Sequence, residues 1–410
     1  MAGITNALNR TLHGQITPLS RGLWRLNDII PCPVSNHDGQ FYAAGYCAEN
    51  QTIRRYSIMF YINRIERRVM SFFTSVADID QIIANLPPVD GATQNKVAAR
   101  QSQLTKPPGS LGKLEDIAIW MAGWQRTEHP DIAHGQCLVF AGNHGVVAQA
   151  ISPFPAEVTA HMVKNAETGG SAINQLCRVA GLELTVTPMQ LHTPTSDITI
   201  GPAMDTDEVL AAMNAGANAI ADSCDYLIVR DMGVGNTTAA AALCLGRFGA
   251  DAKGWVGPGM GVDDDGIAHK AAIIEKAAAF QHPVDDHAVA LLAAFGGYEL
   301  AAIAGAVLAA RSRSIPVMLD GFSTTAAAAT LTAKGQLDIL DHAMISHMSP
   351  EPGHLRLAVA LRKVPIIDLK MRLGEASGAA VVSLLVRAAC AMHNGMATFA
   401  EVGVTADSTP

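Results

Sequence analysis

Aromatic residues make up only 5% of this 410-residue chain and charged residues only 16%, against 49% hydrophobic. Little of the apolar surface is therefore aromatic, and most of it is Ala, Val, Leu and Ile, interspersed with 36 glycines. That composition suits helices packed closely on a sheet with Gly-rich turns between them. An excess of positive charge is also missing. The 29 Lys and Arg are outnumbered by 37 Asp and Glu, and the net charge of −8 argues against nucleic acid or an anionic membrane as the main partner. No C-x-x-C pair occurs among the seven scattered cysteines, an odd number, so a disulfide framework is excluded in favour of free thiols in a reducing, cytoplasmic setting. There is no secretory apolar segment near the N-terminus. One run, 288–310, is long enough to raise the question of a membrane span, but Gly296-Gly297 and Glu299 interrupt it. It reads as a buried helical region.

The length allows one large domain or two. Residues 1–69 differ from the rest: they hold eight Lys/Arg against four Asp/Glu, leaving −12 for residues 70–410. Without clear periodicity, they read as a poorly ordered or non-native extension. A helical segment over 70–135 follows. Within it, Lys106-Pro-Pro-Gly-Ser-Leu-Gly112 fixes a turn, and Ser110 is placed to cap the next helix. Leu111, Leu114, Ile117, Met121 and Trp124 then recur at helical spacing. Lys106 beside this turn reads as a solvated surface lysine.

From Cys137 onward one pattern repeats: a short apolar run, a turn rich in Gly or polar residues, then an Ala-rich helix. Its turns begin at Ala141, Arg230, Asp320 and His347. The fold class is therefore α/β, Rossmann-like, with a mostly parallel sheet covered by helices on both faces over 136–372. A C-terminal helical segment, 373–410, completes the chain. Ligands of such sheets bind outside the carboxyl ends of the strands, where these turns lie.

Among the turns, Gly233-Val-Gly235-Asn-Thr-Thr238 is the most phosphate-like, because a helix follows it directly and its glycines admit close approach. It lacks the Gly-Lys-Ser/Thr of a Walker loop and the last glycine of a dinucleotide site. Asp263-Asp-Asp265 sits where a helix should begin, a position that favours acids without any metal. Lys270, a turn later, suits a phosphate. His342, His347 and His354 match no zinc spacing, and Cys137 and Cys244 sit in apolar runs as inert thiols. No metal site is expected. Glu375 is the one acid of Arg372-Leu-Gly-Glu-Ala-Ser-Gly-Ala379, between glycines and just before the apolar run 379–386. Its carboxylate should lie where a loop enters a buried helix, partly dehydrated and so a better base. A first-turn acid stabilised by the helix dipole is the plainer reading.

Taken together these motifs resemble the nicotinate-nucleotide–dimethylbenzimidazole phosphoribosyltransferase family, which acts in assembly of the cobalamin lower ligand. The matching pieces are Lys106–Gly112, Asn143-His-Gly145 with Ser152-Pro153, and Gly233-x-x-Asn-Thr-Thr238. Asp320-Gly-Phe322, Ser346-His-x-Ser349 with Glu351, and Met371–Ala379 complete the set, in order across roughly residues 80–400. The resemblance implies a Rossmann-like large domain, a smaller helical domain from both ends of the core chain, and a homodimer. It puts the general base at Glu375 and a second acid, usually Glu, at Asp231, one methylene shorter. Gly233, Gly235, Asn236, Thr237, Lys270, Ser349 and Gly374 would hold the nucleotide and its phosphate. Ser152 would line the benzimidazole pocket, where a family glutamine is replaced by Met162. The implied substrates are nicotinate mononucleotide and dimethylbenzimidazole, with no metal or redox cofactor. On the turns alone, another nucleotide-handling α/β enzyme or a catalytically dead nucleotide sensor would also fit.

Overall fold

The computed structural model describes residues 71–404 apart from Met260, together with four short strands nearer the N-terminus. These pair antiparallel, β1 (Pro18–Leu19) with β2 (Leu23–Trp24) and β3 (Cys32–Ser35) with β4 (Phe41–Ala44). The remainder of the first 70 residues lies outside the described part, and with it the expectation of a disordered extension. Residues Ser71–Pro410 form one compact unit.

Its centre is a five-stranded sheet in the order β6-β5-β7-β8-β9, every pairing parallel. The strands are β5 (Gly135–Ala141), β6 (Glu183–Pro188), β7 (Tyr226–Met232), β8 (Val317–Leu319) and β9 (Ala343–Ile345). Successive side chains of a strand point to opposite faces, and here both faces are apolar. Leu138, Phe140, Leu227 and Val229 enter one core, while Cys137, Val139, Tyr226 and Ile228 enter the other. This double burial is why the strands read as continuous apolar runs.

Thirteen helices of the described residues are numbered along the chain, α1 (Val76–Ala84), α2 (Gly91–Gln103), α3 (Lys113–Gln125), α4 (Glu157–Glu167) and α5 (Ala172–Ala180) coming first. Then come α6 (Thr206–Asn218), α7 (Asn236–Phe248), α8 (Asp264–Gln281), α9 (Ala288–Phe295), α10 (Tyr298–Ser312), α11 (Phe322–Ala329), α12 (Pro352–Ala360) and α13 (Ser377–Gly395). Helices α6, α7, α10 and α11 cover the first face, with alanine as the main contact residue. Helices α3, α4, α5 and α13 cover the second. Segments from the two ends of the unit meet there: Arg100 donates to the carbonyls of His393 and Met396, and Leu104 bridges Thr398.

The run 288–310 is broken at Gly296-Gly297 into α9 and α10, both in the core. Among the described residues no helix is long and apolar enough to cross a membrane. Two local expectations fail. Helix α3 begins after Gly112, and no serine caps it; instead Glu115 reaches back to accept the N–H of Leu111 at 3.0 Å, leaving Ser110 exposed. Lys106 is buried rather than solvated, its ammonium 2.7 Å from that same Glu115.

Strand β5 is flanked by β6 on one side and β7 on the other, so the turns leaving β5 and β7 part in opposite directions. A crevice opens between them at the carboxyl ends of the strands, the usual ligand position in such sheets.

Candidate active site

Strand β7 ends at Met232 and the chain turns through Gly233-Val-Gly235 into α7. Gly235 has φ +94°, a value that a side chain would oppose, and it precedes the helix without any side-chain cap. A Cβ on Gly233 would collide with the carbonyl oxygen of Gly142, so the turns after β5 and β7 touch. Along this helix entrance runs a narrow cleft lined by Ile151, Ser152, Pro153, Gly235, Asn236, Thr237, Val262 and Lys270. The Lys270 ammonium, from α8, is buried, and its one hydrogen bond among the described residues is a long one, 3.4 Å to the Gly257 carbonyl. Burial pushes its pKa down, with Glu351 opposing. A Cβ on Gly259 would be 3.0 Å from both Lys270 Nζ and Thr237 Oγ1, so ammonium and hydroxyl converge on one place. At the helix start the Asn236 side chain accepts the Thr237 N–H at 2.7 Å, and the buried cation beside it gives the place the chemistry that an anion would need.

Beside the cleft Gly259 is anchored by Glu351, whose carboxylate accepts the Gly259 N–H at 2.8 Å. Burial pushes that carboxyl's pKa up, partly offset by the Gly259 bond and by Lys270. Ser349 accepts the N–H of Glu351 at 3.1 Å and gives its own N–H to His354. Its place is therefore behind the cleft, shaping the loop that carries Glu351.

Glu375 lies two residues before α13 and is half-buried. Gly374, Glu375 and Ala376 have φ of +80°, +56° and +58°, so two side-chain-bearing residues in succession are held in the left-handed region. The Glu375 carboxylate accepts the N–H of Ala172 at 3.2 Å, at the start of α5. It thus sits before the first turn of its own helix and at the N-terminus of another, so the plainer reading, a carboxylate favoured by a helix dipole, applies through α5 and not through α13. Met162 is half-buried on α4, against the same core as Ala376. One turn earlier, Thr159 accepts the N–H of Val234, tying α4 to the phosphate-like turn.

Asp231 is fully buried and both its oxygens are engaged. Thr324 donates to one at 2.8 Å, Asn236 donates to the other, and Arg230 lies 3.2 Å away. Arg230 also faces Asp320 at 3.5 Å, and Asp320 accepts the N–H of Ala379 at 3.0 Å in the first turn of α13. His144 and Glu299 make a second buried pair, 2.6 Å apart. Burial alone would push His144 down, but Glu299 raises its pKa above the usual value. Glu299 occupies the space that side chains on Gly142 and Gly297 would need.

The family whose description is "Phosphoribosyltransferase" matches residues 86–404. Among curated proteins, the nicotinate-nucleotide–dimethylbenzimidazole phosphoribosyltransferase of Novosphingobium aromaticivorans is 50% identical over 335 residues, 82% of this chain and 99% of its own length. The protein of the same name from Rhodobacter capsulatus is also 50% identical, over 81% of this chain and 98% of its own. The chain belongs to this family. Its fold agrees: the crystal structure of CobT from Thermus thermophilus superposes with a TM-score of 0.72 at 36% identity, covering 77% of this chain and 99% of that one.

Asp263 caps α8 by accepting the Gly266 N–H at 2.9 Å, and no three His, Cys, Asp or Glu among the described residues are grouped as a metal site. Burial pushes His342 and His354 down to about 3, so both are neutral. Cys137 and Cys244 are fully buried. His144 and Asp320 lie in motifs that carry the resemblance and Arg230 opens a turn, but nothing local assigns any of them, or Glu299, a role. The one available signal is Glu299 within an apolar run, since a buried acid demands a partner.

Proposed function

We propose that this protein transfers the phosphoribosyl group of nicotinate mononucleotide to 5,6-dimethylbenzimidazole, giving α-ribazole 5′-phosphate and nicotinate. The observation that carries this reading is the cleft at the start of α7. There the buried Lys270 ammonium has no carboxylate within ion-pair distance among the described residues, and the Thr237 hydroxyl converges beside it. A phosphate there satisfies both groups and the helix end. The named activity of relatives sharing half their residues over nearly their whole length supports the same substrates.

In the reaction, the C1′–nitrogen bond to the pyridinium breaks and nicotinate leaves with that electron pair, already cationic beforehand and therefore needing no general acid. A benzimidazole nitrogen attacks C1′ from the opposite face, which turns a β-nucleotide into an α-ribotide. The other ring nitrogen gives its proton to Glu375. The anchored phosphate holds the ribose in line, which removes much of the entropic cost. Asp231, with both oxygens occupied, serves as a fixed acceptor for Asn236 at the helix entrance. Ser152 and Met162 border the space for the base, and the active form is a cytoplasmic homodimer.

The test is incubation with nicotinate mononucleotide and dimethylbenzimidazole, with detection of free nicotinate and ribotide. Glu375→Gln keeps size and hydrogen bonding but removes basicity, so kcat should fall ~10²–10⁴-fold while both substrates bind. A folded, substrate-binding variant with near-normal turnover would exclude Glu375 as the base.

A further inference from the structure

The turn that presents Glu375 has no regular structure of its own to hold it. Gly374, Glu375 and Ala376 are all left-handed, a conformation that costs free energy at each of the two residues with a side chain. Something outside the turn must stabilise it. One group from the strand ends meets the turn itself, and two more hold the first turn of α13 just after it. The Arg230 guanidinium, at the end of β7, fills the place where Gly374 would carry a side chain: a Cβ there would be 2.7 Å from Nη2 and 3.4 Å from Cζ. The same guanidinium is 3.2 Å from where a Cβ on Gly321 would be, so it is wedged between two glycine backbones. The His347 ring fills the equivalent space at Gly378, and Asp320 accepts the N–H of Ala379.

Arg230 is fixed from behind by Asp231 at 3.2 Å and Asp320 at 3.5 Å, both buried. Its Nε is buried without a partner, so a planar group has been retained where its hydrogen-bonding capacity is not fully used. Shape and charge at Gly374 account for that better than hydrogen bonding does. We infer that Arg230 is a positioning residue for Glu375. Its guanidinium, braced by Asp231 and Asp320, wedges the Gly374–Ala376 turn into the conformation that aims the carboxylate. This rests on the reading of Glu375 as the general base.

The consequence is a kinetic signature. Arg230 reaches the α7 entrance only through Asp231, which keeps its bonds from Thr324 and Asn236 when the guanidinium is lost, so phosphate anchoring should stay in place. Arg230→Met should lower kcat roughly 10- to 100-fold, the scale of an ångström-sized misplacement, with KM for nicotinate mononucleotide changed less than about threefold. Arg230→Lys keeps the charge but loses the flat wedge, and should recover part of the loss. In a Glu375→Gln background, Arg230→Met should cost less than about threefold, because the carboxylate it positions is no longer a base.

Equal losses in the two backgrounds would overturn the inference, as would normal kcat in a folded Arg230→Met enzyme. If Arg230→Met fails to fold, Gly321→Ala takes its place. It sets a methyl group 3.2 Å from the guanidinium on its other side without removing any buried charge or straining the Glu375 turn, and the same background dependence is expected and required. Near-normal turnover of Glu375→Gln alone would remove the base assignment and this inference together. Collapse of Glu375→Gln with additive Arg230 effects would remove only the inference.

Discussion

Two groupings of opposite charges border the entrance to α7, and they differ in what is left unmatched. Around Asp231, two buried carboxylates share one guanidinium, and Asp231 has a donor on each oxygen. Around Lys270, the ammonium has only a distant carbonyl, and the nearby Glu351 spends one oxygen on the backbone of Gly259. In the first grouping both carboxylates already face a cation, although Arg230 Nε and Asp320 Oδ2 keep unused hydrogen-bonding capacity. The second carries the cost of a desolvated cation until an anion arrives. Acids and bases near a site therefore divide into scaffold and receptor by how fully they are satisfied, more than by how near they lie.

The comparison breaks first at Asp231. Asp231→Ala leaves Thr324 and Asn236 without their acceptor and Arg230 with Asp320 alone, and losing one member of a buried pair typically costs about 3–5 kcal/mol. Denaturant midpoints should show that loss, whereas Lys270→Met, which removes an unmatched charge, should leave stability equal or higher. If the two variants were equally destabilised, the division would collapse.

Lys270→Met should act on binding instead. Losing one charge-assisted bond to phosphate is worth about 1.5–3 kcal/mol, so KM for nicotinate mononucleotide should rise roughly 10- to 150-fold with kcat little changed. A large kcat loss at constant KM would place Lys270 in transition-state stabilisation.

A smaller effect sharpens the same point through pH. Burial lowers the Lys270 pKa from the ordinary lysine value, and the group is charged only below it. Affinity of the free enzyme for the nucleotide should therefore hold near neutrality and fall as pH rises through that lowered value, before an exposed lysine would lose its proton at about 10.4. Titrations of binding against pH with Lys270→Arg should show the alkaline loss displaced upward. An identical alkaline limb in the two proteins would assign it to another group.

Much of this arrangement was legible in the sequence because strand, turn and helix are local. The apolar run 226–229, the glycines at 233 and 235 and the alanines after them specify one unit within about twenty residues, and the unit is there. Glu375 was legible for a similar reason, as a lone acid between glycines ahead of an apolar helix. Partners distant in sequence were not. Glu299 meets His144 across 155 positions, and Asp320 reaches Ala379 across 59. Lys106 misled because a lysine beside a Pro-Gly turn is usually solvated, and only the packing of α3 brings Glu115 to it. Ser110 misled because Glu115 competes for the same helix end.

The reversal of strand order beside β5 also bears on how such an enzyme can diverge. Ser152, Thr159 and Met162 belong to the crossover between β5 and β6, whereas the Gly233–Thr237 turn and Lys270 belong to the stretch between β7 and β8. Selection for a different aromatic acceptor can therefore rewrite the first stretch while the donor's anchor stays as it is. The chain separates, into two inheritable segments, what it joins chemically in a single crevice.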